Sequence, residues 1–172
     1  EIANEGRRLI QCDRVTVLVR RRRQWRVAAV SGADTANRRA ATLRHLERLA
    51  AAVASVGEPL WYAESTNEAE TIPPEIEEPL HDYVDLASAR LAGFCPLTLP
   101  PPTGDCQPAA SADAGDTAPF GILVVEQFDR LAPEELRERT AAVCRHAAPA
   151  VRQALDLESL PLYSVSRLLH EA

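Results

Sequence analysis

The sequence contains neither lysine nor methionine, and all 19 of its basic residues are arginine. Its four cysteines lie far apart, and no two of them form a C-x-x-C pair. Structural zinc sites need four converging ligands that usually come in closely spaced pairs, so we predict no metal site. Each cysteine beside apolar residues is then expected to be a small buried hydrophobic residue, which is typical of a reducing compartment.

Long apolar runs are missing as well. No stretch approaches the ~20 consecutive apolar residues of a membrane span, and no signal peptide opens the chain. With 172 residues, 46% of them hydrophobic, and a net charge of −6, the composition is that of one soluble globular domain. Because the chain starts at Glu1 and lacks methionine, we expect a piece of a longer protein. We expect a cytoplasmic location, with any membrane attachment supplied by missing flanking segments.

Residues 20–26 read RRRRQWR, five arginines and a tryptophan in seven positions. The flanking segments, RVTVLVR (14–20) and WRVAAVSG (25–32), are β-branched and alternating, which predicts a hairpin whose tip is Arg20 to Gln24. We interpret the arginines as this solvated tip. Binding of phosphate, of an acidic partner or of anionic lipid stays open, but the chain is only 5% aromatic and offers few stacking platforms, so nucleic acid is not the expected partner.

Hydrophobic periodicity and turn residues predict an order of helices and strands. The predicted elements are a helix over 1–10, strands over 14–20 and 25–32, a helix from an N-cap at Asn37 to Gly57, a strand over 59–63, a helix over 75–89, strands over 90–100 and 120–128, and a long helix from Pro133. A proline-rich loop, 101–118, joins the last two strands. Pro96 indicates a bulge or an edge, and Pro149 a kink. This order predicts an α+β fold with an antiparallel sheet.

The sequence lacks the arrangements that catalysis needs. It has no Walker loop, no G-x-G-x-x-G and no G-x-S-x-G elbow, and its histidines lie apart from one another. We therefore predict no catalytic residue and no enzyme, and the sequence requires no cofactor. Glu126 interrupts an apolar strand, and because a buried carboxylate without a partner is costly, we expect an arginine beside it.

Five segments resemble the GAF family of small-molecule-sensing domains. They are CDRVTVLV (12–19), W-x-V-x-A-V-S-G (25–32), GEPLWY (57–62), the strand ending in CPL (95–97) and FGILVVEQF (120–128). The resemblance covers residues 1–158 and leaves 159–172 as a C-terminal tail or a linker toward a missing segment. It implies an α+β, GAF-like antiparallel sheet of five or six strands with helices on both faces.

The resemblance also implies a dimer and a ligand pocket. In the family the first and last helices share one face of the sheet and often form a homodimer, whereas the middle helices and loops cover a pocket on the other face. By analogy, an unknown small molecule is expected to contact Trp61, Tyr62, Tyr83, Arg90, Phe94, Ile122 and Val124. These side chains could equally fill the space themselves, which would leave a domain without a ligand.

The ligand signatures of known branches of the family are incomplete in this chain. The cyclic-nucleotide signature includes a lysine, which the sequence lacks. The nearest match to a bilin-binding cysteine, Cys144 with Arg145 and His146, falls on the last helix, at the wrong end of the fold. Cys95 and Cys106 lack the motif that surrounds the pocket cysteines of the branch resembling free methionine sulfoxide reductase.

Two functions therefore stay open. The first is a non-catalytic sensory or regulatory module of a larger bacterial protein that binds a small ligand, dimerises, or does both. The second is a ligand-free structural interaction domain. The run PPEIEEPLHDYVDLASARL (73–91) and the leucine-rich tail resemble GAF modules that precede haemolysin-D-type membrane-fusion adaptors of bacterial secretion and efflux systems, which would place the second function in such an adaptor.

Overall fold

The computed structural model describes residues 2–32, 40–64, 72–99, 118–129 and 133–159. The predicted N-cap at Asn37, nearly all of the predicted loop 101–118 and the tail from 160 onward lie outside these residues. The described elements are α1 Ile2–Ile10, β1 Arg14–Arg21, β2 Gln24–Val30, α2 Ala40–Val56, β3 Leu60–Ala63, α3 Pro74–Ala87, β4 Leu91–Leu97, β5 Gly121–Gln127 and α4 Pro133–Ser159.

The five strands form one antiparallel sheet in the order β2-β1-β5-β4-β3. Strand β5 lies in the middle of the sheet and is buried at every position. Its apolar run suits a strand that is covered on both faces. The predicted α+β class, with five antiparallel strands and helices on both faces, is confirmed.

Helices α1 and α4 pack on one face of the sheet. This core joins Val15, Val17 and Val19 of β1 and Leu123 and Val125 of β5 to Ala3 and Ile10 of α1 and Leu136, Ala148 and Val151 of α4. Leu9 of α1 is 57% exposed despite its apolar side chain. The buried positions of α1 are Ala3, Gly6 and Ile10, and Leu9 precedes Ile10 by one residue, about 100° around the helix.

Helices α2 and α3 pack on the opposite face. Here Leu18, Phe94, Ile122 and Val124 of the sheet meet Leu46, Leu49, Ala50 and Val53 of α2 and Ile76, Leu80 and Tyr83 of α3. The rings of Tyr83 and Phe94 contact edge to face, with centroids 5.8 Å apart and planes at 79°. Helix α3 ends at Ser88, whose φ of 55° is left-handed and whose backbone N–H donates to the Val84 carbonyl.

The arginine hairpin is tighter than predicted. Arg20 and Arg21 belong to β1 and Gln24 to β2, so the turn consists of Arg22 and Arg23 alone. Arg21 is paired with Gln24, and the positive φ of Arg22, 59°, lets a two-residue connection reverse the chain. The pairing of β1 with β2 therefore continues into the arginine run, and the turn is shorter than the predicted tip from Arg20 to Gln24.

Trp61 of β3 lies over Gly93 of β4. The two residues are paired across the strands, and a Cβ built on Gly93 would come within 2.4 Å of the indole ring. The ring stays on the α1–α4 face of the sheet, where the Arg137 guanidinium lies 5.6 Å from its centroid. Glycine at position 93 is thus what lets the tryptophan pack flat against the sheet.

The two prolines within elements are accommodated differently. Strand β4 lies inside the sheet, but its pairing with β3 ends at Phe94, so Pro96 lies on a stretch that only β5 pairs. Because β3 does not pair with this stretch, Pro96 occupies an edge position locally, as the sequence had predicted. Pro149 lies inside α4, which runs unbroken from Pro133 to Ser159, and the kink there stays a prediction.

Candidate functional site

A cavity of about 500 Å³ lies between the sheet and the α2–α3 pair, next to the end of β2. Thr42, Leu43 and Leu46 of α2 form one wall, and the C-terminal end of α3 with Ser88 forms the other. The remaining lining comes from Tyr83 of α3 and from the sheet and the residues after β2: Arg14, Thr16, Val30, Ser31, Gly32 and Glu126. Apolar walls around a few convergent polar groups are typical of a small-molecule site.

Three of the lining side chains form a connected polar network. Arg14 and Glu126 are paired residues on β1 and β5, and Arg14 donates from Nε to Oε2 at 2.5 Å and from Nη2 to Oε1. Tyr83 of α3 donates its hydroxyl to Oε1 of the same carboxylate at 2.6 Å. Glu126 is fully buried, and the Arg14 side chain is 32% exposed. The expectation that Glu126 pairs with an arginine is confirmed, and the partner is Arg14.

Burial and charge fix the protonation of Arg14 and Tyr83. Burial alone would lower the pKa of Arg14, but the hydrogen bonds and the charge of Glu126 outweigh it, so the net shift is upward and Arg14 stays cationic. Burial and then the Glu126 carboxylate raise the pKa of Tyr83, so the phenol keeps its proton and remains a donor. The guanidinium also lies 5.0 Å from the Phe128 ring centroid, a cation–π contact that further restricts Arg14.

The network leaves hydrogen-bond donors toward the cavity. An arginine carries five N–H groups; two of those of Arg14 bind Glu126 and its side chain also interacts with Tyr83, so at most three remain for other partners. Ser31 Oγ accepts from the Val15 N–H at 2.9 Å, so its own O–H is available to donate. A ligand with acceptor atoms would therefore meet a fixed, positively charged donor beside a hydroxyl, next to apolar walls.

The residues predicted to contact a ligand occupy four different environments. Tyr83 lines the cavity, whereas Phe94, Ile122 and Val124 are fully buried in the core between the sheet and α2–α3, with Tyr62 packed at its margin. Trp61 lies on the opposite face of the sheet. Arg90 is exposed and donates to Glu64 at 2.9 Å. That these residues bind a ligand stays a prediction, and Tyr83 is the one that the structure brings to the cavity.

The cavity residues that sequence reasoning missed are Arg14, Thr16, Val30, Ser31, Gly32, Thr42, Leu43, Leu46, Leu86, Ala87 and Ser88. A signal for two of them was available, because strand alternation places Arg14, Thr16 and Leu18 on one face of β1. Leu18 packs in the α2–α3 core, so the polar residues before it on that face must lie beside the same pair of helices.

The described residues contain neither a metal-binding cluster nor a helix suited to spanning a membrane. In the described part of the chain, no three or more His, Cys, Asp or Glu side chains come together to hold a metal ion. Nor does any helix in those residues combine the length and apolarity needed to cross a membrane.

These features define an α+β domain with a five-stranded antiparallel sheet, a pair of helices on each face and a cavity beneath the α2–α3 pair. No model of a known protein family matches the sequence, and no curated protein is significantly similar to it. Solved structures do share the fold, and three of them, described below, are 9–14% identical to this chain.

The first structure is a domain of a two-component sensor histidine kinase from Sinorhizobium meliloti, with 14% identity, 88% of this chain and 86% of that chain covered, and a TM-score of 0.51. The second is the GAF domain of a two-component sensor histidine kinase from Bacillus halodurans, with 9% identity, 91% of each chain covered and a TM-score of 0.51. The third is a far-red cyanobacteriochrome photoreceptor, with 12% identity, 88% of this chain and 82% of that chain covered, and a TM-score of 0.53. The chain therefore has the fold of GAF domains. These likenesses give no support to a link with haemolysin-D-type adaptors.

Proposed function

We propose that this domain is a non-catalytic sensory module that binds a small molecule in the cavity between the sheet and the α2–α3 pair. The observation that carries the proposal is the network of Arg14, Glu126 and Tyr83, which holds a cationic donor rigidly at a cavity with apolar walls. Support also comes from the similar folds, which belong to sensor kinases and to a photoreceptor.

The network suits binding better than catalysis. Both charged groups are already paired with each other, and the Tyr83 phenol is a donor to Glu126. A general base or nucleophile needs a free, reactive group within reach of the substrate, and here the carboxylate is occupied by three hydrogen bonds. The donors left over on Arg14 are suited to orienting an acceptor-bearing ligand.

Strand β5 connects the cavity to the other face of the sheet. Glu126 lies at the cavity, and its neighbour Val125 packs in the α1–α4 core together with Val151 of α4. A ligand that binds Arg14 shifts the balance of its bonds to Glu126, and a change in β5 would be passed to α4. Signalling by this route requires that the ligand bind two arrangements of the domain with different affinities.

Native mass spectrometry tests the proposal. The chain is measured as purified and again after denaturation, and a bound small molecule is expected as an extra mass that is lost on denaturation. If the purified chain is empty, ligand-observed NMR with a panel of small carboxylic acids, nucleobases and flat aromatic compounds supplies the probes. Substituting Leu46, a 3% exposed wall residue, by Trp fills the cavity and is expected to abolish binding.

Leu9→Trp is the matched control, because Leu9 is 57% exposed on α1, away from the cavity, and its substitution should leave binding unchanged. Circular dichroism checks that both variants are folded. Absence of any bound mass together with absence of binding across the panel would contradict a sensory role for the cavity. Equal binding by the Leu46→Trp variant would place the ligand elsewhere on the chain.

A second candidate function, a structural interaction domain, is favoured by two exposed leucines. Leu9 of α1 is 57% exposed and Leu157 of α4 is 47% exposed, and these two helices are packed against each other. We infer that a homodimer forms through α1 and α4. Light scattering after size exclusion is expected to give a dimer for the parent chain and a monomer for Leu9→Glu with Leu157→Glu.

Leu86→Glu is the control for the dimer, because Leu86 is an exposed leucine of α3, on the other face. It should leave the dimer intact. A parent chain that is monomeric at all concentrations tested would contradict dimerisation through this surface, and a monomer caused by Leu86→Glu would move the interface to α3.

A further inference from the structure

Two cysteines from different elements lie side by side in the α1–α4 half of the domain. Cys95 is on β4, two residues after Gly93, whose pair partner Trp61 lies on the α1–α4 face, and alternation puts Cys95 on that same face. Cys144 is on α4, packed against the core that contains Leu91 and Leu97 of β4. Leu91 and Leu97 lie on the same face of β4 as Cys95, which brings the two cysteines together between β4 and α4. Both are free thiols.

The two thiols differ in how far solvent can reach them. Cys95 is 6% exposed, whereas Cys144 is only partly buried. The neighbouring Cys144, followed by burial, raises the pKa of Cys95, so Cys95 keeps its proton while the outer sulfur is the one that meets a dissolved reagent. Cys12 is different, because it is buried and its sulfur contacts the Arg14 carbonyl at 3.5 Å.

We propose that Cys95 and Cys144 are an oxidation site, a dithiol that a peroxide converts into an intramolecular disulfide joining β4 to α4. In the first step the Cys144 sulfur attacks one peroxide oxygen, the O–O bond breaks, and a sulfenic acid and one water are formed. In the second step the Cys95 sulfur attacks the Cys144 sulfur, the S–O bond breaks, and the departing hydroxide takes the Cys95 proton as a second water. The two sulfurs together lose two electrons, and these reduce the peroxide.

The geometry favours the second step over further oxidation of Cys144. The sulfenic acid would form in contact with its resolving thiol, so ring closure is intramolecular and needs no movement of a loop. The product would tie the long helix covalently to an inner strand of the sheet. Because the bond closes a long loop between two elements already in contact, the oxidised chain should unfold at a higher temperature.

The experiment uses the full chain carrying Cys106→Ser, because Cys106 lies outside the described residues and could compete. The folded protein is treated with hydrogen peroxide, free thiols are then alkylated, and intact mass and peptide mapping follow. The expected product is a monomer that has lost two hydrogen atoms, with one cross-linked peptide pair joining Cys95 to Cys144 and with Cys12 alkylated. The thermal midpoint should rise and return to its starting value after reduction.

Three variants in the same background sharpen the result. Cys95→Ser should divert Cys144 to stable addition of oxygen without a cross-link, and Cys144→Ser should leave Cys95 unreacted. Cys12→Ser is the matched control and should form the disulfide at the parent rate. Oxygen added to Cys144 of the parent without a cross-link, a covalent dimer through Cys144, or no reaction under conditions that oxidise the unfolded chain would each overturn the proposal.

Discussion

Arg14 and Glu126 lie directly opposite each other on β1 and β5, and their side chains form a two-bond ion pair at the edge of the cavity. The carboxylate is fully buried and the guanidinium is a third exposed. The pair therefore belongs both to the fold, because it satisfies a charge inside the sheet, and to the candidate site, because Arg14 keeps donors that Glu126 does not use.

Removing either member of this pair alone should destabilise the domain more than removing both. Glu126→Leu leaves Arg14 without its partner and should lower the free energy of unfolding by roughly 2–4 kcal/mol, somewhat less than for a wholly buried pair, because Arg14 is partly solvated. Urea denaturation of Arg14→Met, Glu126→Leu and the double variant measures the coupling. Additive effects of the two single substitutions would show that the ion pair contributes no coupling energy.

The Tyr83 hydroxyl should contribute through its bond to Glu126. Tyr83→Phe deletes a donor to a charged acceptor and should cost about 1.5–3 kcal/mol of unfolding free energy. Tyr62→Phe is the matched control, because the Tyr62 hydroxyl has no hydrogen-bond partner among the described residues, and its substitution should cost less than about 0.5 kcal/mol. Equal losses of unfolding free energy in the two variants would show that the Tyr83 hydroxyl does not stabilise the fold through Glu126.

Stability should fall as the pH rises through the alkaline range. Burial raises the pKa of Cys12 from 9.0 to about 11, and Tyr83 is shifted upward from 10.0. In both cases the folded state holds its proton more tightly, so the stability contribution is complete below the unfolded pKa and is lost as the pH rises toward the folded pKa. Each group should lower the unfolding free energy by up to about 1.4 kcal/mol per pH unit in its window.

Urea denaturation at intervals from pH 8 to 11, chosen as the span where these groups titrate, measures that slope. Cys12→Ser should make the decline between pH 9 and about 11 less steep, and Tyr83→Phe should reduce it above pH 10. A stability that is flat across this range would contradict the upward shifts.

Gly93 should not tolerate even a methyl group. The Cβ of Gly93→Ala would lie 2.4 Å from the Trp61 ring, and displacing an indole that is packed on the sheet should cost about 1–3 kcal/mol. Trp61→Leu, combined with Gly93→Ala, should recover part of the loss. Gly6→Ala is the contrast, because its Cβ meets nothing nearer than 3.6 Å and lies in α1, so it should stabilise by roughly 0.5–1 kcal/mol.

Much of this fold could be predicted from local pattern. Alternating residues predict the strands β1 and β5, and apolar side chains spaced by three and four residues predict the helix α2. The order of these elements along the chain then predicts an antiparallel sheet. The same alternation places Leu60 and Tyr62 on one face of β3 and Trp61 on the other, so the position of Trp61 could also have been predicted. The analogy with the GAF family had instead placed Trp61 at the ligand pocket.

The site itself depends on contacts that no local pattern specifies. Arg14 and Glu126 are 112 residues apart, and which arginine meets the carboxylate depends on the register between β1 and β5. The sequence predicted that Glu126 needs an arginine but could not choose among 19. Likewise, the cavity lies beside β2 because of the way α2 and α3 pack on the sheet. The predicted residues Phe94 and Ile122 lie deeper and are covered by the side chains of those two helices.

The arginine hairpin also affects whether two copies of the domain can associate through the edges of their sheets. Strand β2 is an outer strand of the sheet, and the backbone groups along its free side could recruit a strand from another molecule. Arg22 and Arg23, both exposed, form the turn at the end of that strand, so a second copy approaching it would bring like charge against like charge. Exposed charges at the end of an outer strand disfavour pairing between the edges of two sheets, an effect that requires no binding partner.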